Sequence, residues 1–237
     1  MSFDEWLIFR LRTHGAYAGV LDKVHGRETI EALKRFQAAE KLPVTGRADE
    51  ATVAALRKAP AGGLPGVSVS IPAEPVWMRE ARRFMGLKEI AGAKSNPTIM
   101  GWAKRLGGWV ANYFTNDDIP WCGLAVAHWI GVTLPSEPLP TNPLSALAWA
   151  KFGSAQSVPA LGAVMVFGRK GGGHVGFYVG EDPACYHILG GNQSNSVSIT
   201  RIEKGRLEAI RWPRTGEPAR SGRVLLTASG AVSRNEQ

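Results

Sequence analysis

The segment PWCGLAVAHWIGV at residues 120–132 decides the fold of the larger part of the chain. It is apolar around Cys122 and His128 and starts abruptly after a proline, so it predicts a buried helix over 123–130. Helical periodicity also precedes it, in VWMREARRFMGL (76–87) and PTIMGWAKRLG (97–107). Four segments rich in β-branched and aromatic residues follow: GAVMVFGR (162–169), HVGFYVGE (174–181), CYHILGG (185–191) and SVSITRI (196–202). Helices followed by strands predict an α+β fold.

The N-terminal part has a helical pattern throughout. Apolar residues recur at helical spacing in three groups: Phe3, Leu7 and Leu11; Ile30, Leu33 and Phe36; Val53 and Leu56. Thr29 is expected to open the second helix, and Asp49 is a suitable N-cap for the third. The pattern therefore predicts a small bundle of three helices around one core.

Composition divides the chain into four parts. Residues 59–75, APAGGLPGVSVSIPAEP, are rich in proline, glycine and other small residues and indicate a linker. The linker separates the helical domain, residues 1–58, from the larger domain, residues 76–213. Residues 214–237 have little periodicity, and we expect a loosely ordered extension with one short packed segment at most.

The charge and cysteine content limit the classes of function. Lys and Arg number 28 against 20 Asp and Glu, a net charge of +8 that favours a polyanionic partner such as nucleic acid, an anionic membrane or a bacterial cell wall. Two cysteines are too few for a disulfide scaffold or a cysteine-based metal site, so we expect no metal and no cofactor. No segment is long enough to span a membrane, and the N-terminus does not resemble a secretory signal, so synthesis in the cytoplasm is expected.

Three residues are candidates for a catalytic site. Cys122 lies at the start of the predicted apolar helix, where unpaired N–H groups and the helix dipole are expected to stabilise a thiolate. His174 begins an apolar strand, and Asn192 follows on the turn LGGNQ. A thiol, an imidazole and an amide that orients the imidazole form a cysteine-hydrolase triad if the fold brings them together.

Each of these residues also has a structural interpretation. Cysteine is often a small buried apolar residue, and a histidine or a glycine-flanked asparagine often serves only the fold. His187 is the alternative for the third catalytic position. In a strand, Cys185, His187 and Leu189 share one face, which apolar Leu189 indicates is packed against the core. We therefore favour Asn192, which lies on a flexible Gly-Gly turn.

Residues 3–57 resemble the three-helix peptidoglycan-binding domain of wall hydrolases. The matching positions are Gly15, Tyr17, Gly19, Asp22, Gly26, Thr29, Leu33, Phe36, Gln37, Gly46, Asp49, Thr52 and Leu56. This resemblance implies a wall-binding role for the loop and the exposed face of the domain.

The larger domain resembles another family of wall proteins. PWCGLAVAHW, GHVGFYVGED and LGGNQSNSVSI are similar to the NlpC-like and CHAP cysteine hydrolases, especially a phage-associated subgroup that ends with a segment like RWP (211–213). The resemblance implies a papain-like core of helices and antiparallel sheet, with Cys122 as nucleophile, His174 as general base and then acid, and Asn192 as the polar third member. Trp121 stands where many NlpC-like enzymes have Asp.

The two resemblances together imply a modular, endolysin-like peptidoglycan hydrolase, either an endopeptidase or an amidase. We expect a monomer that binds peptidoglycan, does not bind nucleic acid, does not insert stably into membranes, and acts in the periplasm after release from the host cytoplasm. The alternatives are a non-catalytic wall-binding or phage structural component, and a wall-targeting toxin with the same chemistry. A nucleic-acid binder is suggested by charge alone, without any recognised binding motif.

Overall fold

The computed structural model describes residues 3–17, 26–58, 74–92, 94–226 and 232–233. Helices come first and an antiparallel sheet follows, which confirms the predicted α+β class. Two hydrophobic cores are present among these residues, one in the N-terminal helices and a larger one between the later helices and the sheet.

The N-terminal core lies between three helices, α1 (Phe3–Thr13), α2 (Arg27–Ala39) and α3 (Glu50–Arg57). The three-helix prediction is confirmed, and the Asp49 carboxylate accepts a hydrogen bond of 2.8 Å from the Thr52 N–H at the start of α3. The second helix begins at Arg27, before Thr29, because Gly26 supplies the extended N-cap. Gly19 and Asp22 lie outside the described residues.

Four helices build one layer of the larger part: α4 (Val76–Arg82), α5 (Pro97–Leu106), α6 (Gly108–Tyr113) and α7 (Cys122–Thr133). Every residue from Cys122 to Ile130 is buried, which explains why the sequence of α7 is apolar on all sides. A 3₁₀ helix, Ala146–Lys151, follows before the sheet.

The sheet has six strands in the order β1-β6-β2-β3-β4-β5, and neighbouring strands are antiparallel. The strands are β1 (Ser154–Ala155), β2 (Val164–Arg169), β3 (Gly172–Glu181), β4 (Cys185–Gly190), β5 (Ser198–Glu203) and β6 (Leu207–Trp212). The four predicted strands correspond to β2 to β5. The sequence analysis did not anticipate β1 or β6, of which β1 has only two residues.

A buried ionic cluster joins the N-terminal helices to the larger part. Arg82 of α4 donates from Nη1 to Asp4 of α1 at 2.5 Å and from Nε to both carboxylate oxygens of Glu74 at 3.0 Å. The side chains of all three residues are at most 1% exposed. Burial raises the pKa of Glu74, although the positive charge of Arg82 opposes that shift. Removal of one charged partner from this cluster by mutation would leave an uncompensated buried charge.

The described part of the C-terminal extension packs against the larger domain. The Glu137 carboxylate accepts hydrogen bonds from the backbone N–H groups of Arg214 and Thr215. Further along, Arg223 donates to Glu181 at 2.6 and 2.9 Å, and the Leu226 N–H donates to the Glu181 carbonyl. Residues 214–226 are therefore attached to the core at two points.

Candidate active site

Cys122 is the first residue of α7 and is only 6% exposed. The following residue must be glycine, because a Cβ at Gly123 would lie 2.3 Å from the Pro143 carbonyl oxygen and 2.7 Å from that of Leu144. Segment 143–144 therefore passes directly over the first turn of α7. This close approach explains the glycine that follows Cys122 and limits solvent access to the thiol.

The thiol is not stabilised as a thiolate in the resting protein, contrary to the expectation from helix position alone. Burial raises the pKa of Cys122, and this effect outweighs the opposing hydrogen bonds from the Val175 and Gly123 backbone and the positive charge of Arg169. The amides at the start of the helix thus lower the pKa of Cys122 as expected, but desolvation raises it by more. Cys122 needs a base to take its proton.

His174 lies on the strand that contacts the thiol. It lies on β3, is 1% exposed, and is opposite Phe167 of β2. Val175, whose backbone hydrogen-bonds the Cys122 thiol, is the next residue along β3, so the thiol lies against the strand next to His174. Two of the three residues predicted from the sequence therefore lie on adjoining parts of the fold, Cys122 at the start of α7 and His174 on β3.

The amide that contacts His174 belongs to Gln193. His174 Nε2 lies 3.2 Å from Gln193 Oε1, and Gln193 is itself 1% exposed. The orientation of this amide is fixed, because its Nε2 donates to the backbone carbonyls of Ile188, Gly190 and Ser198. The amide oxygen must then accept from His174 Nε2, which makes Nδ1 the basic nitrogen of the neutral ring.

Asn192, predicted as the third member, lies in the turn directly before Gln193. Its backbone has a φ of +56°, in the left-handed region that asparagine tolerates better than most residues, and its side chain is buried. Directly before it, a Cβ at Gly191 would lie 2.6 Å from the Trp121 ring, so the chain turns tightly against the start of α7. This turn carries the Gln193 amide to His174, and the sequence contains both amides without distinguishing them.

His187, the alternative third member, lies towards the other end of the sheet. It pairs with Gly180 of β3, which places it roughly 20 Å along the strands from His174 at the usual rise per residue. Its Nε2 is 2.8 Å from the carboxylate of Asp182, which also accepts from Arg201 Nε at 2.8 Å. Burial lowers the pKa of His187, while the Asp182 carboxylate opposes that shift. This histidine belongs to a separate buried cluster.

A short segment after α4, residues 86–89, lies next to the start of α7. Glu89 accepts a hydrogen bond of 3.1 Å from the indole Nε1 of Trp121, the residue before Cys122. Residues 86–89 also pair with 195–197, immediately after Gln193, through backbone hydrogen bonds. Sequence reasoning missed Glu89, which belongs to no motif, and passed over Gln193, which ends the quoted LGGNQ segment next to Asn192; long-range pairing locates both.

The described residues contain no group of His, Cys, Asp and Glu side chains arranged to hold a metal ion. Cys122 and Cys185 are both free thiols. Among the helices described, none has the length and apolar character needed to cross a membrane.

Comparison with known proteins identifies the N-terminal helices. Residues 6–56 match the family model of the putative peptidoglycan binding domain. The chain matches no curated protein and no solved structure. The prediction of a wall-binding module is confirmed for α1 to α3, which we call the wall-binding module from here on, and peptidoglycan is supported as a partner.

Proposed function

We propose that the protein is a peptidoglycan hydrolase that cleaves a peptide or amide bond of the bacterial wall, with Cys122 as nucleophile and His174 as general base and acid. The observation that carries this proposal is the fixed orientation of His174, whose Nε2 is held by Gln193 while its strand lies against the Cys122 thiol. An oriented imidazole beside a thiol at a helix start is the arrangement that cysteine hydrolysis requires.

The proposed reaction proceeds in two halves. His174 removes the thiol proton, the sulfur attacks the substrate carbonyl carbon, and backbone N–H groups at the start of α7 stabilise the oxyanion. The C–N bond then breaks, and His174 returns its proton to the leaving amine, so that a thioester remains on Cys122. In the second half, His174 removes a proton from water, which attacks the thioester carbonyl; the C–S bond breaks, His174 returns the proton to the sulfur to restore the thiol, and the released carboxylic acid ionises in water.

The raised pKa of Cys122 has a role in this scheme. A neutral thiol is a poor nucleophile, so proton transfer to His174 must accompany attack on the substrate. Gln193 is uncharged and therefore orients the ring without strengthening its basicity as a carboxylate would. In this proposal Gln193 is the positioning residue, and Asn192 shapes the turn that presents it.

The proposal extends to the fold and the place of action. Helix α7 packed with its nucleophile against an antiparallel sheet that carries the histidine supports a papain-like arrangement. A wall-binding module joined to such a site supports an endolysin-like protein that acts on the wall after release from the cytoplasm. The alternative is a wall-binding protein without catalytic activity, and the experiment below distinguishes the two.

Digestion of purified sacculi tests the proposal. The full chain should release soluble fragments, and mass spectrometry of their new amine and carboxyl ends should identify the bond. Cys122→Ala should release none while still binding sacculi, whereas Cys185→Ser, which changes the other buried thiol, should keep the activity. Release of the same fragments by Cys122→Ala, or binding without any release by the unaltered chain, would contradict the proposal.

A further inference from the structure

One tryptophan differs from the other seven. Trp109 is 46% exposed, whereas each of the others is at most 6% exposed. The most exposed tyrosine, Tyr113 at 61%, lies beside it, with ring centroids 6.0 Å apart and an angle of 63° between the planes. Exposed aromatic surface of this size, kept together on one helix, is typical of a binding surface.

The backbone under this pair is anchored. Trp109 and Tyr113 are four residues apart on the outer side of α6, while Val110 and Phe114 point inward and are 4% and 1% exposed. Phe114 belongs to the main hydrophobic core. The aromatic pair is thus presented on a fixed support, and a ligand would meet it without a large cost in ordering.

Polar and basic residues lie next to the pair along the chain. Lys104 and Arg105, both exposed, form the last turn of α5, which immediately precedes α6, and Asn112 is exposed between the two rings along α6. Residues 97–113 contain no Asp or Glu. No exposed large aliphatic side chain accompanies the rings on either helix, although Val44, Leu147 and Leu225 are exposed elsewhere. We call Lys104, Arg105, Trp109, Asn112 and Tyr113 the aromatic patch.

We propose that the aromatic patch binds the glycan strand of peptidoglycan. Sugar rings offer C–H faces that pack on indole and phenol rings, and their hydroxyl and acetamido groups suit the amide of Asn112. Stem peptides attached to the strand carry carboxylates, which suit Lys104 and Arg105. A membrane surface or a protein partner would favour aliphatic side chains beside the rings, and the patch has none.

This inference rests on the proposed function only for the identity of the polymer, because glycan binding does not require hydrolysis. It adds a second contact with the wall, separate from the wall-binding module. Glycan held on the domain that carries Cys122 would bring the attached stem peptides near that domain, independently of the module.

Fluorescence offers a local test, since the other seven tryptophans are buried and collisional quenching by acrylamide reports mainly Trp109. The full chain carrying Cys122→Ala, which prevents digestion, is titrated with N-acetylglucosamine oligomers and with glycan strands freed of stem peptides. We expect both to reduce quenching. Trp109→Ala removes the reporter and so serves to assign the signal to this residue, whereas Tyr113→Ala should weaken apparent affinity about tenfold, in line with the loss of one good contact. Val158→Ala, at a site 50% exposed, is the matched control.

The inference is overturned if glycan leaves the quenching unchanged, or if Tyr113→Ala and Val158→Ala bind alike. Protection by anionic phosphatidylglycerol vesicles but not by glycan would assign the aromatic patch to a membrane surface. Protection that depends on protein concentration, with a doubled mass in solution, would assign it to a second copy. Failure of sacculus digestion together with intact glycan protection would reject the proposed hydrolysis and leave this inference standing.

Discussion

Two ends of one sheet each bury a histidine, and the partners of the two rings differ. At one end, His174 precedes Val175, whose backbone hydrogen-bonds the Cys122 thiol, and His174 contacts the neutral amide of Gln193 at 3.2 Å. At the other, His187 contacts the Asp182 carboxylate at 2.8 Å, and Arg201 shares that carboxylate. Burial alone therefore does not identify a catalytic histidine. A buried thiol lies near each ring, so what separates the two ends is its setting: Cys122 begins a helix, whereas Cys185 lies within β4 and its backbone N–H donates to the carboxylate that Arg201 shares.

Removing the His174 imidazole is the strongest test of this contrast. His174→Ala should reduce sacculus hydrolysis by about 10²–10⁴-fold, the usual contribution of a general acid–base group. Thermal unfolding and binding to sacculi should show that the variant remains folded. Retention of full turnover by a folded His174→Ala protein would remove the distinction between the two ends of the sheet.

Changing the amide at the His174 end should have an intermediate effect. Gln193→Ala is expected to lower kcat by about 10- to 100-fold, as for other residues that orient a catalytic ligand or base. Gln193→Glu should raise the pKa of His174 and move the acid limb of the pH–rate profile to higher pH, because a carboxylate favours the charged ring. A purely structural role for Gln193 would leave that limb unmoved.

Asn192 provides the matched comparison for Gln193. Asn192→Ala should cost about 1–2 kcal/mol of stability because its backbone is left-handed, and Asn192→Gly should cost less. Turnover by the folded Asn192→Ala protein should exceed that of Gln193→Ala. The reverse order would return the third catalytic position to Asn192, as the sequence predicted.

Changing the other histidine should have the smallest effect on turnover. His187→Gln should keep kcat within about twofold, well below the change expected for a catalytic base, but lower the free energy of unfolding by about 1–3 kcal/mol through a weakened buried hydrogen bond. Burial lowers the pKa of His187 in the folded state. As the pH falls below about 6.5, the ordinary histidine pKa, the unfolded chain therefore binds more protons than the folded chain. This contribution to stability is present above about pH 6.5 and is lost as the pH falls. Denaturant titrations at several pH values should show a shallower decline for His187→Gln.

At the His174 end of the sheet, the sequence predicted the helices and strands. It did not predict which side chains contact each other there. Pro120 and the apolar run after it locate the start of α7, and β-branched and aromatic segments locate β2 to β5, because these signals are local. The choice between Asn192 and Gln193 depends on a φ of +56° in a turn packed against Trp121. Alternation of faces holds only for extended backbone, so the sequence pattern cannot follow the chain through that turn.

The same limit applies to the Cys122 pKa and to the relation between the two domains. Position at a helix start suggested a stabilised thiolate, but desolvation by segment 143–144 and the sheet depends on tertiary packing. Composition indicated a linker over 59–75, and most of it lies outside the described residues. Its end, Glu74, nevertheless forms part of the buried cluster with Arg82, a pairing that no local pattern announces.

The Asp4–Arg82 contact joins the wall-binding module to α4. While this contact is made, packing rather than the length of the intervening chain sets the distance from the module to Cys122. A module anchored on one strand of the wall would then present Cys122 to bonds at one fixed offset from the anchor. The number of accessible bonds is smaller than for a freely tethered enzyme, and the local concentration of each is higher.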